Sequence, residues 1–423
     1  MRIDFQKNLR NLDKLYGSDK GTLEIQIERY QRLVKKFLKI FKEPAQIFFS
    51  VPGRIEISGN HTDHNNGKVL AASINLDSIA VASKNDMQKV ILYSEGYEDP
   101  FEINLDDLEI CQEEAGTTMA IIRGIAKRFN EIGYKTGGFF ACMTSDVLQG
   151  SGLSSSASVE VLIASIFNYL FNEAKIPPNT IAQIGQYAEN VFFGKPCGLM
   201  DQMACAVGGI IAIDFKDPQN PQVEEIDFDF KRYEYDILIV DTGGSHADLT
   251  EDYASVPEEM KSVAKKFKKD VLREVDENVF LDKIAELRNS VGDRAVIRTM
   301  HYFDENRRVV EQIKMLDSGD FQKFLSLVQQ SGDSSLKWLQ NIYSVKNEHE
   351  QGVTLALALT AQYIAEIKEG ACRVHGGGFA GTIQVFLPQR QVDDYIRRIE
   401  KIFGRKSVIK LKIRQPGIVT FNV

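Results

Sequence analysis

Five cysteines in 423 residues, at positions 111, 142, 197, 205 and 372, include no CxxC pair. An odd, dispersed set excludes a disulfide framework and a zinc site built on paired thiolates, and reads as reduced thiols. No apolar run approaches the roughly 18 residues of a membrane span. The N-terminal stretch MRIDFQKNLRN has no apolar core of the signal-peptide kind, so a cytoplasmic location is expected. Basic charge is not in surplus either. The net charge of -8 argues against bulk electrostatic binding to nucleic acid or acidic membranes, so an anionic ligand must be held by a local device. Internal repeats and low-complexity segments are missing too. What is present is the composition of an ordinary soluble globular protein, 43% apolar and 26% charged, long enough for a large core and two domains.

Apolar periodicity predicts a helix over 27–42, carried by Tyr30, Leu33, Val34, Phe37, Leu38 and Phe41 and ended by Pro44. Strands are expected at 46–51, 69–83 and 89–96, where β-branched residues alternate with turn signals. A helix starting near Ser155 is apolar nearly all round and should be buried. YDILIVDTG (235–243) reads as a central strand, 255–370 as mostly helical, and 381–387 and 407–421 as strand again. Pro and Asn cluster in PQNPQ at 218–222, which predicts a division into domains 1–220 and 221–423.

Three segments carry chemistry. GRIEISGNHTDHNNGK (53–68) packs two His, three Asn and several charges between glycines, a costly arrangement unless something binds it. LQGSGLSSSASVEV (148–161) places two glycines and a run of small hydroxyl residues at a helix start. Free amide N–H groups and a positive helix end there suit a phosphate, although the GK[ST] ending of a Walker loop is absent. The plainer alternative for the segment by itself is a serine-capped helix start. RVHGGGFAGTIQ (373–384) has three successive glycines, which make either a tight strand entry or a backbone that lies against a ligand.

In order and spacing, these segments resemble the three motifs of the GHMP small-molecule kinases and, within them, the galactokinase family. AENVFFGKPCGLMDQ (188–202), DTGGSHADLTEDY (241–253), RTMHYFDENRRV (298–309) and SGDFQKFLSLVQQS (318–331) extend the resemblance from about 45 to 390. It implies an α+β, two-domain GHMP kinase fold, with a ribosomal-protein-S5-like N-terminal domain and a ferredoxin-like C-terminal domain. It also implies an ATP-dependent sugar-1-kinase using Mg²⁺, with galactose as the sugar and the active site between the domains. By the same resemblance Asp201 is the catalytic base and Arg54 the cation that keeps it ionised and offsets charge on the phosphoryl group. Gly150, Ser151, Gly152, Leu153, Ser154, Ser155 and Ser156 would form the ATP loop. Ser156 and Glu189 would hold magnesium through hard oxygens. Asn60, His61, Asp63, Gly198 and Tyr253 would contact the sugar, and Gly376, Gly377 and Gly378 form the glycine motif. A small-molecule sugar is the implied partner, with no nucleic acid or membrane and a monomeric chain. Each assignment has a plainer counterpart: Arg54 as a surface cation, Glu189 as a solvated helix residue, Tyr253 as a core aromatic, and His61, Asp63 and His64 as metal ligands.

The sequence departs from the family pattern mostly at the sugar end. Asn60 stands where the family has Glu or Asp, Glu56 where it has Asn, Ser58 for Ile, and His64 for Tyr, while His375 and Ala380 alter the glycine motif. By resemblance, residue 60 faces the far end of the hexose. Its altered charge leaves open a kinase for a galacturonate-like or N-acetylated sugar. A kinase of mevalonate or homoserine is disfavoured by HTD and MDQ. A non-catalytic sugar- and ATP-sensing protein is disfavoured by the intact GSGLSSSAS and Asp201.

Overall fold

The near-continuous apolar run at 69–83 lies in the middle of a sheet covered on both faces. The computed structural model describes residues 9–148, 150, 152–244 and 249–423. The larger sheet is built from β1 (Ile47–Ser58), β2 (Lys68–Lys84), β3 (Lys89–Ser94), β4 (Phe101–Asn104), β5 (Phe139–Ser145), β6 (Ile210–Asp214), β7 (Gln222–Ile226) and, from the chain's end, β12 (Val419–Asn422). The smaller one orders β11 (Val408–Leu411), β8 (Tyr235–Asp241), β10 (Thr382–Pro388) and β9 (Ala371–His375). Every pairing is antiparallel except β3 with β5. Long β2 pairs with β1 along one edge and serves two partners along the other: Lys68–Ala72 pair with β6 and Ser78–Lys84 with β5.

Side chains alternate faces along a strand, so an apolar residue at every position requires two covers. On one face Phe48, Ile79, Val81, Cys142 and Phe421 pack beneath the helices Leu9–Tyr16 and Lys20–Phe41. On the other, Phe49, Val51, Ala80, Ala82 and Met143 meet the helices Thr118–Glu131, Ser155–Asn172, Pro178–Tyr187 and Met200–Val207. The smaller sheet repeats the scheme: Ile237, Ile239 and Phe386 face the helix Phe321–Ser334, and Leu238, Val240 and Val385 face Gly352–Ile367 and Gln389–Phe403. Ile55 and Ile57 of β1 share one apolar cluster with Phe324, Val328 and Phe386, which joins the two sheets across the molecule. Two sheets, antiparallel but for one pairing and each covered by helices, make this an α+β fold.

Three expectations shift in extent. The first long helix begins at Lys20, seven residues before the expected start at 27, because Asp19 caps it by accepting the Thr22 N–H at 2.8 Å. β1 continues through GRIEIS to Ser58. The run at 407–421 splits into β11 and β12, which join different sheets. PQNPQ lies between β6 and β7, which pair with each other, and β12 returns to the larger sheet, so strands of that sheet come from both sides of residue 220.

Candidate active site

Two register shifts in β1, between Pro52 and Arg54 and between Glu56 and Ser58, free backbone groups from the ladder and re-aim side chains. The freed N–H of Arg54 donates to Leu153 O at 3.1 Å, which binds the strand to the serine-rich loop. The Arg54 side chain is buried and grips Asp201 two ways: Nε to Oδ1 at 2.8 Å and Nη2 to Oδ2 at 2.6 Å. Its third nitrogen donates to Gly152 O. Asp201 stands in the first turn of the helix Met200–Val207, where the helix dipole favours an anion. Ser154 Oγ donates to Asp201 Oδ2 at 2.5 Å. Burial opposes ionisation of this carboxyl, but Arg54, the Ser154 hydrogen bond and Lys195 outweigh it and hold Asp201 below the usual carboxylate range. With 33% of its side chain exposed, the carboxylate still meets solvent.

Of the residues expected to form an ATP loop, Gly150 and Gly152 have positive φ, Leu153 is buried, and Ser154 takes a left-handed backbone (φ 59°) directly before the helix Ser155–Asn172. A non-glycine residue held there is strained, and Ser154's bond to Asp201 is the compensating contact on its side chain. Ser155 and Ser156 form the first turn, and Ser151 lies outside the described residues. Ser156 Oγ lies 3.5 Å from Glu189 Oε1. Glu189 is buried in the π-helical turn Ala188–Phe193, a geometry that often marks functional sites. Its oxygens meet Lys195 Nζ at 3.3 Å and Gln202 Nε2 at 2.9 Å. Buried Glu160 shares Gln202, and burial together with the charge of Glu189 pushes its carboxyl well up. Among the described residues no cluster of three or more His, Cys, Asp and Glu could cage a metal. One carboxylate beside one hydroxyl nevertheless fits Mg²⁺, which keeps waters and phosphate oxygens as its other ligands.

The residues of the expected sugar motif converge on the glycine motif. Asn60 Nδ2 donates to Gly376 O at 2.7 Å, His61 Nε2 to Gly377 O at 2.9 Å, and Tyr253 OH to Gly378 O at 2.7 Å. Gly377 is obligatory there, because a Cβ would stand 2.4 Å from Tyr253 Cε1. Asp63 accepts the His64 N–H at 2.9 Å and presses its other oxygen against Gly198, where a Cβ would fall 1.8 Å from Oδ2. The loop leading to Asp201 thus packs on Asp63. Asn60 faces inward: it is 1% exposed, and its amide is engaged by Glu56, Gly376, Asn341 and Ser335.

The departures from the family pattern gather in one buried cluster. Glu56 accepts from Asn60 (3.0 Å) and from fully buried Arg373 (2.8 Å). The Glu56 N–H donates to His375 Nε2 at 3.2 Å, and burial with nearby Arg54 and Arg373 keeps that imidazole neutral. Ser58 Oγ donates to Glu305 Oε1 at 2.8 Å, which also accepts from Gly59 N–H and Ser331 Oγ. Burial works against that carboxylate, but Arg308, Arg373 and the Ser331 hydrogen bond hold it ionised. Arg373, Glu305, His301 and Asn341 are supporting residues that the sequence reading did not single out. The legible signal is a charged residue set inside an apolar strand, Arg373 between Cys372 and Val374.

A cation clamped on a carboxylate, beside a glycine- and serine-rich helix start and a Ser–Glu oxygen pair, defines a class: a phosphotransferase with an alcohol group as acceptor. The GHMP kinases N terminal domain matches residues 120–209, and the galactokinase galactose-binding signature matches residues 35–84. Galactokinase of Actinobacillus pleuropneumoniae is 31% identical over 369 residues, 86% of this chain and 91% of that protein. Galactokinase of Mannheimia succiniciproducens is 29% identical over 380 residues, 89% and 94% of the two chains. A crystal structure of Lactococcus lactis galactokinase complexed with galactose superposes with a TM-score of 0.78 at 25% identity, covering 93% of this chain and all of that one. Mevalonate kinase of Methanococcus jannaschii, at 16% identity and a TM-score of 0.61, shares the fold. The chain belongs to the galactokinase family.

Proposed function

We propose that the protein transfers the γ-phosphoryl group of ATP to the anomeric hydroxyl of galactose. The observation that carries this reading is the Arg54–Asp201 pair, with its remaining oxygen valence. Each carboxylate oxygen accepts about two hydrogen bonds. Among the described residues Oδ2 has two donors, Arg54 Nη2 and Ser154 Oγ, whereas Oδ1 has one, Arg54 Nε. The free lone pair on Oδ1 is therefore the one that takes the sugar hydroxyl's proton. Because Asp201 is held ionised and is a weak base, that proton moves late, as the hydroxyl oxygen acidifies in forming its bond to phosphorus. Arg54, buried and permanently charged, offsets negative charge beside the reacting oxygens. ATP, when bound with Mg²⁺, supplies the phosphoryl group and an electrophile of reduced charge. Gly150 to Ser156 are the residues to hold its phosphates, and Ser156 with Glu189 its metal.

Galactose is favoured as the sugar by the match of residues 35–84 and by the likeness to the galactose-bound Lactococcus enzyme. Charge supports it as well. The carboxylate that the family pattern has at 60 is retained in this corner at 56, hydrogen-bonded to the amide that has taken its place. His61, Asp63, Gly198 and Tyr253 are the proposed sugar contacts. A monomeric, cytoplasmic enzyme whose lobes divide near residue 220, with β7 and the returning β12 joining the first lobe, belongs to the same reading. The test is ADP release across a panel of hexoses, uronates, N-acetylhexosamines, mevalonate and homoserine. Galactose is expected to give the highest kcat/KM, and absence of sugar-dependent ADP release throughout the panel sinks the proposal.

A further inference from the structure

Asn341 follows the π-helical turn Ser335–Leu339 and is fully buried. Its amide nitrogen donates to Asn60 Oδ1 at 2.8 Å and to Gly377 O at 3.1 Å, while its carbonyl oxygen has no partner among the described residues. The direction in which this amide points is imposed from a distance. Arg373 holds Glu56, and a carboxylate only accepts, so Asn60 must turn its NH₂ toward Glu56; the Gly376 carbonyl demands the same. Asn60 then presents its oxygen to Asn341. That oxygen and the Gly377 carbonyl are both acceptors, which forces the NH₂ of Asn341 toward them. The Asn341 carbonyl is what remains.

His61 is constrained in the same way. Its Nε2 faces the Gly377 carbonyl at 2.9 Å and so carries the hydrogen, and burial pushes the ring's pKa down to about 3, so it is neutral. Nδ1 is left as a bare lone pair, buried and also without a partner among the described residues. Two orphaned acceptors thus belong to the two side chains that donate to the Gly377 carbonyl, one of which also donates to Asn60. Buried acceptors left bare are unfavourable, so such a corner calls for a donor.

We infer that Asn341 is a specificity-determining residue: with His61 it makes this corner of the sugar site accept only, so that it takes a hydroxyl of a neutral hexose and rejects the carboxylate of a uronate. The inference rests on the sugar-kinase reading and deepens it. By the family pattern residue 60 faces the far end of the hexose, which makes the 6-hydroxyl of galactose the donor. An amide at 341 matters because it is the last of the chain Arg373, Glu56, Asn60, Asn341, in which each member sets the next.

The test compares kcat/KM for galactose, 6-deoxygalactose and galacturonate in the wild type and in Asn341→Leu. In the wild type galactose should exceed 6-deoxygalactose by about tenfold or more, chiefly through KM, and galacturonate by about a hundredfold or more, since a site built to accept a hydroxyl strongly rejects a group that cannot donate. In Asn341→Leu the gap between galactose and 6-deoxygalactose should close to within about threefold, because the lost acceptor no longer tells them apart. A merely structural role, or an oxygen satisfied by water alone, would leave that gap unchanged and overturn the inference. Galacturonate turned over as well as galactose by the wild type would overturn it alone and leave the kinase reading standing. Failure to phosphorylate any of the three sugars would bring down both. If Asn341→Leu does not fold, Asn341→Ala removes the same acceptor without adding bulk, and an unchanged gap between galactose and 6-deoxygalactose in it overturns the inference equally.

Discussion

Replacing Asp201 by Asn keeps the side chain's size and removes two things at once, a base and the partner of a buried cation. In the wild type Oδ1 accepts from Arg54 Nε at 2.8 Å and Oδ2 from Arg54 Nη2 at 2.6 Å and Ser154 Oγ at 2.5 Å. An amide has one accepting oxygen, so at best it keeps the two bonds on one side and sets its NH₂ against the Arg54 Nε–H. One charged donor loses its partner, which costs about 1–3 kcal/mol; the side chain's 33% exposure places the loss toward the lower end. Turnover should fall further, by about 10²–10⁴, because the amide cannot take the hydroxyl's proton. Binding of a nucleotide analogue should survive within about threefold, since the loop from Gly150 to Ser156 is untouched. The pH dependence has a definite sign. The folded carboxyl titrates below its unfolded value, so its contribution to stability is present above the ordinary carboxylate range, around pH 4, and is lost as pH falls through the folded value. The variant should lack that acid-side loss. The assays are coupled ADP release, nucleotide titration and thermal unfolding between pH 3 and 8. Turnover within tenfold of wild type would refute the assignment of Asp201 as base.

Glu189→Gln and Ser156→Ala should each raise the magnesium concentration for half-maximal activity, and a magnesium titration unchanged in both removes them as metal ligands. Asn60→Glu buries a second carboxylate beside Glu56, which should cost on the order of 3 kcal/mol by thermal or urea unfolding; the double variant Glu56→Asn with Asn60→Glu should recover most of it. A single variant as stable as wild type contradicts the buried pairing of 56 and 60. Gly198→Ala drives a methyl group to within 1.8 Å of Asp63 Oδ2, so KM for the sugar should rise about tenfold or more while KM for ATP holds; equal sugar kinetics would mean that Asp63 does not depend on this contact.

Much of the fold is legible in local pattern. The apolar run of β2, with no polar alternation, announces a strand covered on both faces, and the helix from Ser155 shows its burial all round its circumference. The extents are less legible, because they depend on single capping side chains such as Asp19 and on bulges that let β1 run on through Gly53 and Arg54. The motif order makes the glycine- and serine-rich loop and Asp201 visible in the chain. The corner around Asn60 is not visible there, for a physical reason. Asn60 reads alone as a lost charge, whereas in space Glu56, Arg373, Asn341 and His375 restore that charge and fix the direction of every donor. Those contacts span from 4 to more than 300 residues of sequence, and nothing in local periodicity encodes such pairings.

The product itself tests the central claim most directly. Purified protein incubated with ATP, Mg²⁺ and galactose should yield a sugar phosphate whose phosphorus couples to the anomeric proton in ³¹P and ¹H NMR, formed in step with ADP. Phosphorus coupled to the C6 protons, or ADP released with no sugar phosphate formed, would contradict the account.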